Sequence, residues 1–178
     1  RKYGAVVPQV IALNNFPNLQ QQQQKSWQQF SEQQPTSCSD LTTQQLMDFK
    51  QALALSDFVL QSALQCPDLV IELFSTASVN VNSVYQQELP NYEQLLKLAL
   101  VDCKTEAELH KILRRFRRQQ MMKIAIADLV LNAELEQSLL RLSTLADALI
   151  MAALVWLTDL CQQRWGCPQR HAQKESST

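Results

Sequence analysis

The sequence predicts an all-α protein: an irregular helical bundle with two long C-terminal helices packed antiparallel and a disordered, glutamine-rich N-terminus. The 178 residues include only Gly4 and Gly166 as glycines, whereas a sheet protein with many tight turns needs more. Apolar residues make up 46% of the chain, which is enough to bury a core. From about residue 41 they recur at steps of three and four, the spacing of one helix face.

Composition divides the chain into three segments. Residues 1–40 include five consecutive glutamines, Gln20 to Gln24, and such a polar stretch buries too little to offset its ordering entropy. We therefore expect 1–40 to be largely disordered, with a segment near Gln20–Phe30 in which a transient helix can form. Residues 41–168 form the predicted helical bundle, and 169–178 form a polar tail.

Local capping residues predict the short helices. Thr42 or Thr43 can cap the first helix of the bundle, and Ser56 can cap the second with acidic Asp57 in its first turn. Pro67 ends that helix and can begin another. A segment rich in Ser, Thr, Asn and Val over 75–83 predicts a loop, and Asn91 caps the helix that follows it.

The two long helices have the clearest pattern. Thr105 and Glu108 form a capping box at the start of the first, and Asn132 marks a break before the second. One apolar stripe runs along the last helix, through Leu135, Leu139, Leu142, Leu145, Leu149, Ala153, Trp156 and Leu160. Its most apolar part, Ala148 to Leu157, is too short to cross a bilayer, so we predict a buried core helix that Gly166 and Pro168 end.

Several kinds of catalytic site have no residues to support them. The two glycines cannot form a Gly-rich phosphate loop. His110 and His171 lack a marked third group, and no D-x-D or E-x-x-H is present to hold a metal. The five cysteines are widely spaced without C-x-x-C, which indicates reduced thiols in a cytoplasmic protein. We expect no complete catalytic site.

A basic cluster on the first long helix is the strongest charged feature. Between Lys104 and Lys123 there are seven basic residues and two acidic ones, a local net charge of +5. Such a cluster can bind phosphate or nucleic acid, or it can be a solvated helix face with some ion pairs. The overall charge of −1 and pI of 6.1 favour the second reading. The candidate cluster comprises Arg114, Arg115, Arg117 and Arg118, with Asp128 and Asp147 as the expected carboxylate partners.

An ordered set of short motifs resembles one enzyme family. They are Leu55–Val59 with Pro67 ten residues after Asp57, Leu113–Arg118, Met122–Ala125, Asp128-Leu129, Leu142–Asp147, Trp156-Leu157, and Arg164–Gly166 before Pro168. In this order they resemble the start of the bifunctional glutamine synthetase adenylyltransferase, also called the adenylyl-removing enzyme, over roughly residues 50–168.

The resemblance implies a nucleotidyltransferase with two catalytic halves. One half removes AMP from a tyrosine of glutamine synthetase, and the other adds AMP from ATP. Magnesium serves both, and glutamine and a PII-type signal protein set the balance. The family's catalytic segment, G-x-G-K-L-G-G and then D-x-D, is expected after Pro168 but is not in this sequence. No catalytic, cofactor-binding or metal-binding residue is therefore carried over, and we expect this piece alone to bind neither Mg nor ATP.

Three hypotheses follow. The first is an N-terminal fragment of that enzyme, suggested also by a chain that begins at Arg1, which serves as a cytoplasmic helical scaffold in nitrogen regulation. The second is a self-standing helical module that binds a protein partner. The third and weaker is a nucleic-acid-binding helix around Arg114–Arg118. We expect neither nucleic acid nor membrane as a partner, and the sequence predicts no oligomeric state.

Overall fold

A computed structural model of the chain describes residues 17–34, 41–75, 89–130 and 133–167. Within these ranges the chain forms helices and turns but no strand, which confirms the all-α prediction. The helices are α1 (Pro17–Gln33), α2 (Thr43–Leu55), α3 (Asp57–Gln65), α4 (Pro67–Ser75), α5 (Tyr92–Ala99), α6 (Glu106–Val130) and α7 (Leu135–Trp165). The predicted polar tail, 169–178, and most of the predicted loop lie outside the described residues.

The predicted caps set the helix boundaries. Thr42 and Gln45 form a capping box at α2, in which the Thr42 N–H donates to the Gln45 side chain at 2.9 Å. The Ser56 hydroxyl accepts from the Val59 N–H at 3.3 Å, and Asn91 caps α5 in the same way. Each cap satisfies a backbone donor that has no partner within its own helix.

Helix α6 begins with the predicted Thr105–Glu108 box. The Glu108 carboxylate accepts from the N–H groups of Lys104 at 2.8 Å and Thr105 at 3.1 Å, and the Thr105 hydroxyl accepts from the Glu108 N–H at 3.2 Å. These backbone hydrogen bonds, the one from Lys104 first, lower the pKa of Glu108. The carboxylate is thus held ionised at the positive end of the helix dipole.

The helices enclose two hydrophobic cores. The first lies among α1 to α4 and the end of α6, and is built from Phe30, Phe49, Ala52, Leu53, Val59, Leu60, Ala63, Leu69, Val70, Met122, Ile126 and Val130. The second lies among α5, α6 and α7, and is built from Tyr92, Leu96, Phe116, Ile124, Leu145 and Ala148. Only α6 contributes buried residues to both.

Helices α6 and α7 pack antiparallel, as predicted. Near their connection the Ser138 hydroxyl donates to the Asp128 carboxylate at 3.1 Å. At the opposite end the Trp156 indole Nε1 donates to the Cys103 carbonyl, just before α6, at 3.3 Å. Helix α6 ends at Val130 and α7 begins at Leu135, which confirms the predicted break, although Asn132 itself lies outside the described residues.

The prediction of disorder is wrong for the part of the glutamine-rich segment that the structure describes. Residues 17–33 form α1, which starts at Pro17 and buries Ser26 and Phe30. The ring of Phe30 packs edge-on against Phe49 with centroids 5.2 Å apart, and Lys50 Nζ lies 4.4 Å from the centre of the Trp27 ring. Glutamine is a good helix former, and one narrow apolar face suffices to dock the helix. Residues 1–16 and 35–40 lie outside the described ranges.

The predicted buried stripe of α7 is also wrong for much of its length. Leu135, Leu139 and Leu142 are exposed, and Leu145 is the one member of the stripe that is buried. The residues that α7 buries are Ser138, Arg141, Leu145 and Ala148, so the core-facing stripe runs through two polar positions. By length and composition α7 is the one described helix that could cross a membrane, with 22% of its most apolar window buried.

Docking of α1 onto the first core can be tested with Phe30→Ala. Because Phe30 is completely buried, we expect the variant to lose about 3–5 kcal/mol of unfolding free energy, the usual cost of truncating a core phenylalanine. Urea denaturation followed by circular dichroism measures the loss. Gln29→Ala, at an exposed position of the same helix, is the matched control and should be nearly neutral. Equal stability of the two variants would mean that α1 does not dock.

Candidate functional site: charged groups at the helix interfaces

Two members of the arginine cluster fasten α6 to the start of α4. Arg115 Nη2 donates to Asp68 Oδ2 at 2.5 Å, and Arg118 Nη1 donates to Cys66 Sγ at 3.2 Å. The hydrogen bond from Arg115 is the main cause of a lowered pKa of Asp68. Both ends of the Arg115–Asp68 pair are about half exposed, so the pair contributes at most about 1 kcal/mol and mainly fixes the orientation of α4.

The other two arginines of the cluster face solvent. Arg114 and Arg117 are exposed, as is Lys111 one turn earlier. None of these three side chains hydrogen-bonds or forms an ion pair with any residue that the structure describes. The cluster is therefore divided: Arg115 and Arg118 have structural partners, and Arg114 and Arg117 are left available to a ligand or partner.

The expected pairing of the cluster with Asp128 and Asp147 is not what the structure shows. Asp128 accepts from Ser138 at the connection between α6 and α7, and Asp147 is exposed on α7. No salt bridge joins either carboxylate to a described arginine. The carboxylate that does pair is Asp68 on α4, which lies 47 residues before Arg115 in the chain, so helix periodicity alone could not identify it.

Sequence reasoning missed a buried arginine. Arg141 is only 3% exposed and hydrogen-bonds with the hydroxyl of Tyr92 on α5. Tyr92 packs edge-on against Phe116, with ring centroids 6.4 Å apart, so the contact joins α5, α6 and α7. Burial raises the pKa of Tyr92, and the nearby Arg141 charge and hydrogen bond oppose that rise. The sequence does contain a sign of this burial, because Arg141 lies on the same helix face as Leu145 and Ala148.

The remaining reactive side chains are separate from one another. His110 lies on the surface, 3.6 Å from Glu106 one turn earlier on α6, and His171 lies outside the described ranges. Cys66, Cys103, Cys161 and Cys167 are free thiols. Among the described residues no three His, Cys, Asp or Glu side chains are grouped closely enough to hold a metal ion.

The Arg141–Tyr92 contact can be tested with Tyr92→Phe, which keeps the ring and removes the hydroxyl. We expect a loss of about 1–3 kcal/mol at neutral pH, because a buried donor loses its acceptor. Because the folded pKa of Tyr92 is raised, its stabilising effect is present below the unfolded tyrosine pKa of about 10 and is lost as the pH rises toward the folded value. Urea unfolding between neutral and alkaline pH should show a steeper alkaline loss for the wild type than for Tyr92→Phe. Parallel curves would contradict the burial of the Tyr92 hydroxyl, and equal stability of the two proteins at neutral pH would contradict its contact with Arg141.

Comparison with known proteins identifies the family. A family model described as "Glutamate-ammonia ligase adenylyltransferase" matches residues 45–178. The bifunctional glutamine synthetase adenylyltransferase/adenylyl-removing enzymes of Shewanella loihica and Shewanella oneidensis are 34% and 32% identical over 146 and 157 residues, or 82% and 88% of this chain. The aligned regions make up 14% and 16% of those relatives, so the chain spans only a small part of their length. Because the family model covers most of the chain, including α3 to α7, this chain belongs to the glutamate-ammonia ligase adenylyltransferase family.

Proposed function

We propose that this chain is the N-terminal helical part of an enzyme that attaches AMP to glutamine synthetase and removes it again in nitrogen regulation. The observation that carries the proposal is the unbroken family match over residues 45–178. The activities in the relatives' names, adenylyl transfer and adenylyl removal, supply the reaction. The chain's own part is to support catalytic groups that lie elsewhere in such an enzyme.

The described residues are suited to a structural role and not to binding magnesium. Carboxylate oxygens are the ligands that Mg²⁺ prefers, but no cluster of acidic side chains is present among the described residues. We therefore assign the Mg and ATP sites of the proposed enzyme to residues other than these. The capped helices and two cores would hold the bundle rigid beside the catalytic part.

The proposed partners are glutamine synthetase, as substrate, and a PII-type signal protein, with a cytoplasmic location. Arg114 and Arg117 are exposed and have no side-chain partner among the described residues, so they are the ones we assign to contact with a partner or with the catalytic part. Arg115 and Arg118 are already engaged with α4.

A second candidate function is a self-standing helical module that binds a partner protein. The exposed apolar residues of α7 favour it, since they form a surface that a partner could cover. Solution behaviour distinguishes the two: a self-standing module is a stable monomer or defined oligomer, whereas a scaffold separated from its enzyme self-associates through that surface.

A hybrid enzyme tests the proposed function. Residues 45–178 replace the matching segment of the Shewanella loihica enzyme, and AMP transfer to and release from glutamine synthetase are measured with magnesium present. We expect the hybrid to keep both activities and the 178-residue chain alone to have neither. A control hybrid with Leu53→Asp in the first core should lose activity, because burying an unpaired carboxylate unfolds the bundle. A folded but inactive hybrid, or AMP release by the chain alone, would refute the proposal.

A further inference from the structure

Helix α7 has two apolar stripes, and the bundle covers only one. The covered stripe comprises Ser138, Arg141, Leu145, Ala148, Ala152 and Trp156, which are buried or half-buried. The second, which we call the open stripe, comprises Leu135, Leu139, Leu142, Ala146, Ile150, Ala153 and Leu157. Each helical residue advances by about 100°, so the open stripe is centred about 100° from the covered one.

The open stripe is long, exposed at every member except the half-buried Ala153, and free of charge. Leu135, Ile150 and Leu139 are 68%, 65% and 56% exposed. From Leu135 to Leu157 the stripe runs for about 33 Å at 1.5 Å per residue, and none of its seven members is polar. A contiguous apolar surface of this kind marks an interaction site.

The second half of α7 indicates the size of the body that covers the open stripe. From Leu149 to Trp165 no residue is fully buried, and Met151 and Val155 are exposed on the side away from the open stripe. From Leu149 to Leu157 every residue is apolar, and a helix segment that is apolar on all sides is covered on all sides in its complete setting. One partner helix, or a second copy of α7, would cover the open stripe and leave Met151 and Val155 exposed.

We infer that the open stripe of α7 is the surface on which the rest of the enzyme docks, and that the docking body encloses the helix from Leu149 to Leu157. The inference rests on the proposed function. The regions aligned with this chain make up 14–16% of the length of its relatives. Most of such an enzyme is therefore available to cover the open stripe. The surface of the docking body that meets the open stripe is apolar, because the open stripe carries no charge for a partner to complement.

A bilayer fits α7 less well than a protein does. Arg141 and Asp147 both lie in its first half, where Arg141 bonds to Tyr92 and Asp147 is exposed. A charged residue at that depth in a membrane is costly, whereas at the edge of a protein interface Asp147 remains in water. The covered stripe also joins α7 firmly to α5 and α6.

Two adjacent leucines provide a matched test. Leu139 lies on the open stripe and Leu140 lies about 100° away from it, and they are 56% and 44% exposed. Leu139→Glu and Leu140→Glu therefore add the same charge at neighbouring exposed positions, and neither disturbs a core. Hydrogen exchange of the α7 backbone is measured in the chain alone, in the hybrid enzyme, and in the hybrid carrying each variant.

We expect exchange in the second half of α7 to be at least about 10-fold slower in the hybrid than in the chain alone, because docking suppresses local opening. Leu139→Glu should restore fast exchange and Leu140→Glu should not, since only the first buries a carboxylate in the docked state. Equal exchange in chain and hybrid, or equal effects of the two variants, would overturn the inference.

Two further measurements test whether another molecule covers the open stripe. If sedimentation shows that the chain alone is a defined dimer that only Leu139→Glu dissociates, and not the open-ended self-association expected of a separated scaffold, the stripe belongs to a second copy. If vesicles of phosphatidylglycerol and phosphatidylcholine slow exchange in α7 of the chain alone, it belongs to a bilayer. Either result overturns the inference. The exchange measurement does not depend on activity, so a hybrid that protects α7 but transfers no AMP would refute the proposed function alone.

Discussion

Helix α6 contributes buried residues to both hydrophobic cores, and the arrangement of the bundle depends on this shared position. Met122, Ile126 and Val130, at steps of four, pack into the first core. Phe116 and Ile124, on another face, pack into the second. Truncating a buried side chain of this size costs about 2–5 kcal/mol. A displacement of α6 therefore disturbs both cores together, and α5 and α7 cannot move independently of α2 and α3.

The Arg141–Tyr92 contact fixes how α5 and α7 meet in the second core. A buried guanidinium without hydrogen-bond acceptors is strongly destabilising, and the Tyr92 hydroxyl is one acceptor that the fold brings to the buried Arg141. A shift of α7 by one turn would keep apolar residues in contact but would move Arg141 about 5 Å along the helix axis. We interpret the pair as a constraint on helix register more than as a source of stability.

The features that sequence predicted correctly are local. Each cap at Thr42, Ser56, Asn91 and Thr105 depends on residues at most three apart, so the sequence contains the whole interaction. Partners distant in sequence were not predictable in this way: Asp68, and not Asp128 or Asp147, pairs with Arg115. The sequence predicts only a transient helix near Gln20–Phe30, because mean composition does not reveal a narrow apolar face, and one stripe ending at Phe30 is enough to dock α1.

The prediction of a single buried stripe on α7 is wrong for the same reason that we assign α7 a docking role: the helix has two apolar faces. Apolar residues at steps of three and four trace two overlapping stripes on α7, and periodicity identifies an apolar face without showing which element covers it. Leu149 lies between the two stripes, next to Leu142 at the near edge of the open one, so a single stripe drawn through both merges the covered face with the open one. A helix with one interior face has no need of leucine or isoleucine at Leu139 and Ile150. The second stripe is instead what a helix shared by two packed bodies requires, as α6 is shared by two cores within the bundle.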